Sequence, residues 1–217
     1  MPSPEMPSES ADTHRDIIEH AVEALEAGKT VIYPTETVYG LGADSRRPEA
    51  VSRVFEQKNR DPNNPLSVAL PSVSAVESVA EPTDRAHDCM QTFLPGPVTV
   101  ITEVNDTIAS AVTANQARVG IRIPDHELSL KFLRAAAPIP VTATSANLSG
   151  AQSAHTISAI DKRLRRSTEV IIDDGVTGGA ESTVVDPDKN IIYRKGANAE
   201  AVIDWLTRVT GSAPTVT

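Results

Sequence analysis

Gly28 to Leu66, GKTVIYPTETVYGLGADSRRPEAVSRVFEQKNRDPNNPL, is the stretch whose reading decides the fold. Val31, Ile32 and Tyr33 form a short apolar run that stops at Pro34, the pattern of a buried strand. Thr35, Glu36, Thr37 and Tyr39 follow, then Gly40 and Gly42. Polar side chains at a strand's end, followed by glycines, mark where an open α/β sheet holds its ligand. A helix then runs from Pro48, a residue suited to a first turn, to about Gln57, and buries Val51, Val54 and Phe55. The loop after it presents Lys58 and Arg60. Alternate positions of an extended segment point the same way, so the two cations face one anion, a carboxylate or a phosphate. A solvated surface loop is the other reading of these residues.

Composition sets the frame around this stretch. The 217 residues suffice for one sizeable domain or two small ones. With 3% aromatic residues, the core must rest on Val, Ile, Leu and Ala. A net charge of -9 argues against tight non-specific binding to nucleic acid, which needs many Lys and Arg contacts to phosphate. The single cysteine, Cys89, excludes an intramolecular disulfide, fits a reducing compartment, and shares a helical face with Ala86, Met90 and Phe93, the setting of a core thiol. No apolar run has the length of a membrane span, and MPSPEMPSESADT has neither the basic start nor the apolar stretch of a signal peptide. Cytoplasmic localisation is the default. Residues 1–12 read as a disordered leader rich in Pro, Ser and Glu, 13–210 as one folded domain, and 211–217 as a polar tail.

Along the chain, a helix is expected from Thr13 to Ala27, capped by Asp12 or Thr13 and stopped at Gly28. Strands are expected at Thr30–Tyr33, Ser67–Leu70, Val98–Val104, Val119–Ile123, Ile139–Thr142, Thr168–Ile172, Ser182–Val185 and Ile191–Arg194. Helices are expected near Val73–Val79, Asp84–Phe93, Glu127–Ala136 and Ala199–Val209. Helices lying between strands imply parallel pairs, and the closer spacing of the later strands implies antiparallel ones. The fold class is therefore α/β: a single domain with a twisted, mixed parallel/antiparallel sheet flanked by helices.

Four polar clusters recur at strand ends: Thr35 to Thr37, Lys58 with Arg60, Thr144 to Asn147, and Ser182 with Thr183. Arg122 and Arg194 add cations from strands. An arginine inside an apolar strand is costly unless paired, so each has either an acidic ligand or an internal carboxylate as partner. Ser145 and Asn147 either hold a phosphate or sugar by neutral hydrogen bonds or cap a turn. There is no Walker A loop, no G-x-G-x-x-G, no clustered histidine spacing and no G-x-S-x-G. A nucleotide would be held by scattered hydroxyls and cations. The run KRLRR, Lys162 to Arg166, reads as a solvated helix face or as a weak contact with RNA.

PTETVYGLG, KNRDPNNPL, PGPVT, VGIRIPDH, TSANLSG and STVVD occur in the order of the YrdC/Sua5 family, which this chain resembles from about Gly28 to Gly196. It is similar to the short, single-domain form, whose fold surrounds a deep cavity. The resemblance implies an L-threonylcarbamoyladenylate synthase. Such an enzyme makes threonylcarbamoyl-AMP and pyrophosphate from ATP, L-threonine and bicarbonate or CO2, with Mg2+ accompanying ATP and the metal ligands unknown. The downstream partner is a tRNA threonylcarbamoyl transferase machinery acting on adenosine 37 of ANN-decoding tRNAs. By the same resemblance Lys58 and Arg60 are catalytic. Thr35, Arg122, Thr142 and Ser182 contact threonine. Lys58, Arg60, Thr144, Ser145, Asn147 and Arg194 contact the nucleotide. The chain departs from the pattern at Ala69, where many relatives carry histidine, and at Lys195, where proline is common. Two other readings compete: an RNA-binding or ribosome-maturation factor, disfavoured by the -9 charge, and a carbamoyl transferase, whose larger family form carries zinc-finger-like segments that one cysteine cannot supply.

Overall fold

The structure, a computed structural model, describes residues 9–217. Residues 1–8 of the expected leader lie outside the described residues. Helix α1 spans Glu9–Glu26, so Asp12 and Thr13 lie inside it rather than capping it. No glycine or proline interrupts the chain between Pro7 and Gly28, and the helix extends accordingly. It stops where Gly28 takes φ +70° and its N–H bonds Leu25 O at 2.9 Å.

Strand β1 (Val31–Tyr33) follows, then β2 (Gly40–Gly42) and helix α2 (Pro48–Lys58). Next come β3 (Ser67–Ala69), a 3-10 turn at Val73–Ser78, β4 (Ala80–Glu81), helix α3 (Asp84–Phe93) and β5 (Val98–Val104). After these stand β6 (Arg118–Arg122), helix α4 (Glu127–Ala136) and β7 (Val141–Ser145). KRLRR forms most of α5 (Lys162–Ser167), which precedes β8 (Val170–Ile171), β9 (Thr183–Asp186), β10 (Ile191–Arg194), α6 (Ala199–Thr210) and β11 (Thr215–Val216). The 211–217 tail is largely exposed, and its Thr215 and Val216 pair in parallel with β10, through Thr215 N–H to Asn190 O at 3.0 Å.

One mixed sheet joins the strands in the order β11-β10-β9-β5-β6-β3-β7-β2-β1-β8, with β4 on β5. The pairs β3–β6, β5–β9 and β1–β8 are parallel, and β5–β6, β3–β7 and β9–β10 are antiparallel. Alternation along each strand separates two apolar layers. Ile32, Val68, Val119, Ile121, Val185 and Ile192 pack with α2, α3 and α6. Val31, Tyr33, Ala69 and Val141 pack with α1 and α4 on the other face, where the Tyr33 and Phe132 rings lie 5.5 Å apart. Those two helices cover the β1–β8 side of their face. The stretch over β5, β6, β9 and β10 is left open, and there the sheet floors a cavity.

Candidate active site

The cavity measures about 740 Å³, within the size range of small-molecule sites. Its floor follows from period-two alternation. Arg118, Gly120 and Arg122 of β6 face it, as do Thr99 and Ile101 of β5 and Ser182, Val184 and Asp186 around β9. Gly120 is required by close approach: a Cβ there would meet Ser67 Oγ at 2.6 Å and Thr99 Cγ2 at 2.9 Å.

At one end lies Arg122, buried, with Nη2 donating to Glu36 Oε1 at 2.6 Å and Nη1 to Val98 O at 3.2 Å. Burial lowers its pKa and the Glu36 carboxylate opposes that shift. Thr35 lines the same end; its hydroxyl donates to Val38 O at 2.6 Å and accepts from the N–H groups of Thr37 and Val38. Ser182 lies beside them, its Oγ 3.0 Å from Thr99 Oγ1 and accepting from Arg194 Nη2 at 3.0 Å.

Arg194 stands on β10, level with Arg122 across β9 and β5. Its Nε donates to Ser182 O at 2.9 Å and its Nη1 to Glu181 Oε2 at 2.6 Å. Arg60 enters from the wall, braced by Asn64 O at 3.1 Å and Pro65 O at 2.9 Å. Among the described residues Arg60 has no carboxylate partner. Its pKa is lowered by burial and then by the charge of Arg194. Arg194 has Glu181, so Arg60, half-buried and near a second cation, is the guanidinium that an incoming anion would relieve. At the far end Arg118 Nη2 donates to Asp186 Oδ1 at 2.9 Å and Asp188 Oδ2 at 2.8 Å.

Lys58 stands elsewhere, and the expectation that it and Arg60 face one anion is corrected. It is the last residue of α2, on the buried face with Val51, Val54 and Phe55. Asn59 then takes the left-handed conformation at φ 50°, which turns Arg60 out of the helix. Lys58 is 1% exposed. Its Nζ donates to Ser145 O, to Asn147 O at 2.7 Å and to Asn147 Oδ1 at 3.3 Å. Burial, then the Arg60 charge, pushes its pKa down to about 8, while Glu181 opposes. Asn147 is equally committed: its Nδ2 donates to Ala151 O at 2.6 Å and Leu148 O at 3.1 Å, and its Oδ1 accepts from Ser145 Oγ at 2.5 Å. Ser145 and Thr144 line the cavity, whereas Lys58 and Asn147 do not. Thr142 also lies off the cavity; its Oγ1 is buried and accepts from Ala43 N–H at 2.9 Å. None of the KRLRR residues lines the cavity, and Arg163 there is engaged by Asp161.

A family model described as Sua5_yciO_yrdC, telomere recombination, matches residues 23–196. The chain belongs to the Sua5/YciO/YrdC family. Threonylcarbamoyl-AMP synthase of Bacillus subtilis (strain 168) is 35% identical over 202 residues, which cover 91% of this chain and 58% of that protein. The putative threonylcarbamoyl-AMP synthase of Methanocaldococcus jannaschii is 33% identical over 188 residues, covering 85% of this chain and 88% of that one. Among solved structures, P. abyssi Sua5 complexed with L-threonine superposes with a TM-score of 0.84 at 32% identity, over 94% of this chain and 59% of its own. This chain therefore spans less than two thirds of the B. subtilis and P. abyssi proteins.

The cavity residues Arg118, Asp186 and Tyr193 of this Sua5/YciO/YrdC chain carry no sequence expectation, nor does Glu36 as the partner of Arg122. Arg118 was within reach of the pattern, since RVGIR puts it four residues before Arg122 on one face of a strand. Ala69 aligns with Arg122 in the β3–β6 register, so the departure from histidine falls beside that arginine. No helix among the described residues is long and apolar enough to cross a membrane.

Proposed function

We propose that this chain is a threonylcarbamoyl-AMP synthase, forming that product and pyrophosphate from L-threonine, bicarbonate or CO2, and ATP. The observation that carries the reading is the set of cations lining one cavity: Arg122 and Arg194 in one row across the sheet, Arg60 near Arg194, and Arg118 four residues from Arg122 along β6. That set suits an amino-acid carboxylate held beside the phosphates of a nucleotide. Ser182, just before β9, and Asp186 at its end face the cavity four residues apart, a span of about 13 Å at strand rise.

In this scheme Arg122 takes the threonine carboxylate, with Thr35 and Ser182 beside the rest of the amino acid. The threonine amine and bicarbonate give a carbamate and water. A carbamate oxygen attacks the α-phosphorus of ATP, the bond to the β-phosphate bridging oxygen breaks, and pyrophosphate leaves. Arg60 and Arg194 are positioned to stabilise charge that builds on the phosphoryl oxygens, while Thr144 and Ser145 supply neutral donors at the wall. Among the described residues no three His, Cys, Asp or Glu side chains gather to hold a metal. In this reading Mg2+ enters with the substrate as MgATP, coordinated by phosphate and water. The product is an activated acyl phosphate, which a tRNA-modifying transferase would consume.

Incubating the protein with MgATP, L-threonine and labelled bicarbonate tests the reading. Labelled threonylcarbamoyl-AMP, absent when threonine is withheld, is expected; pyrophosphate release without labelled product, or no turnover by folded protein, would overturn it.

A further inference from the structure

Tyr193 is the exposed aromatic of this protein. The other tyrosines, the phenylalanines and the tryptophan are buried or half-buried, whereas Tyr193 is 43% exposed and lines the cavity. Its backbone explains how it got there. On β10 Ile192 packs in the core, so strict alternation would turn Tyr193 to the cavity and Arg194 back to the core. Instead the register with β9 slips between Ile192 and Arg194: Ile192 opposes Val185, Arg194 opposes Val184, and Tyr193 opposes no residue. A bulge of this kind re-aims side chains, and here it brings two consecutive residues to one surface.

The placement along the floor is specific. Arg194, Val184, Thr99 and Arg122 lie in one row across the sheet, whereas Ile191 lies level with Asp186, the partner of Arg118. Tyr193 therefore sits on the Arg118 side of the row that holds Arg194 and Arg122. A flat, half-exposed ring beside a cation costs hydrophobic exposure in the free protein, and a planar heterocycle laid on it would recover that.

Resting on the nucleotide reading above, we propose that Tyr193 is the stacking platform for the adenine ring, so that the bulge at β10 sets base and α-phosphate at adjacent stations of one strand. Arg194 then takes phosphate while its neighbour takes the base, and nucleoside triphosphates are distinguished from inorganic polyphosphate at Tyr193.

Calorimetric titration with ATP and with inorganic tripolyphosphate, using wild type, Tyr193→Ala and Tyr193→Phe, tests this. Tyr193→Ala is expected to weaken ATP by about tenfold or more while changing tripolyphosphate less than about twofold, and Tyr193→Phe to bind both ligands as wild type does. Equal ATP affinity in wild type and Tyr193→Ala would overturn the platform and leave the synthase reading standing. Equal weakening of both ligands would overturn it too, since Tyr193 would then act through Arg194. If folded wild type binds neither ligand, the nucleotide reading falls and the platform with it.

Discussion

Two regions of the cavity wall use the same kinds of residue to opposite ends. Under the Ser145–Asn147 turn, Lys58 is enclosed by backbone and amide oxygens, and its charge is spent inside the protein. Two residues on, Arg60 has no carboxylate of its own among the described residues, and burial followed by the charge of Arg194 makes its own charge more costly. The first region closes on itself; in the second Arg194 has Glu181, whereas Arg60 has backbone oxygens alone. K-x-R and S-x-N thus each divide their work: Arg60 and Ser145 face the cavity, while Lys58 and Asn147 knot the wall that carries them. Proximity in sequence to a ligand residue does not make a ligand residue. What separates the two is whether hydrogen-bonding capacity is already met.

The comparison breaks most readily at Arg60. Arg60→Ala should lower kcat/KM for ATP by about 10²–10³, because a preorganised charge is lost where phosphoryl charge develops. Its stability in urea should move by no more than about 0.5 kcal/mol, since a backbone-braced surface guanidinium is removed along with its repulsion from Arg194. Near-normal turnover would remove Arg60 from the chemistry.

Lys58→Met should act mainly on the fold. It orphans the oxygens beneath the turn, and a loss of about 1–3 kcal/mol is expected in urea unfolding. Unchanged stability combined with lost ATP binding would instead make Lys58 a ligand to phosphate and erase the contrast with Arg60.

The pH dependence of stability sharpens the same point. Lys58 has a folded pKa near 8 against an ordinary 10.5, so between those values the unfolded chain holds a proton that the folded chain has released. Stability contributed by this group therefore rises with pH across that window. Wild type should show the rise relative to Lys58→Met in parallel unfolding curves; matching slopes would contradict a buried, charge-depressed lysine.

The smallest effect is expected at Thr142. Thr142→Val removes the acceptor for Ala43 N–H and should cost about 1 kcal/mol, with KM for threonine unchanged. A raised KM would return Thr142 to the substrate.

Much of this was legible before the structure. The strand arginines Arg122 and Arg194 and the hydroxyls of Thr35 and Ser182 stand at strand ends, and period-two geometry brings them to one surface. Lys58 was misjudged over a single residue of helix length. A helix ending at Gln57 leaves it extended beside Arg60; one ending at Lys58 continues the Val51–Val54–Phe55 face and buries it. Tyr193 and Arg194 could not be placed together from pattern, because a bulge breaks the alternation that the pattern assumes. Likewise Glu36 pairs with Arg122 across a sequence gap that no local periodicity spans. The strand at Thr215–Val216 depends on the free edge of β10, which exists only once the sheet is assembled.

Binding of both substrates to Arg60→Ala, measured by calorimetry against wild type, addresses the central division of the cavity. The account predicts that L-threonine still binds at the Arg122 end with unaltered affinity, while ATP is weakened at least about tenfold. Loss of threonine binding together with ATP, or retention of both, would contradict it.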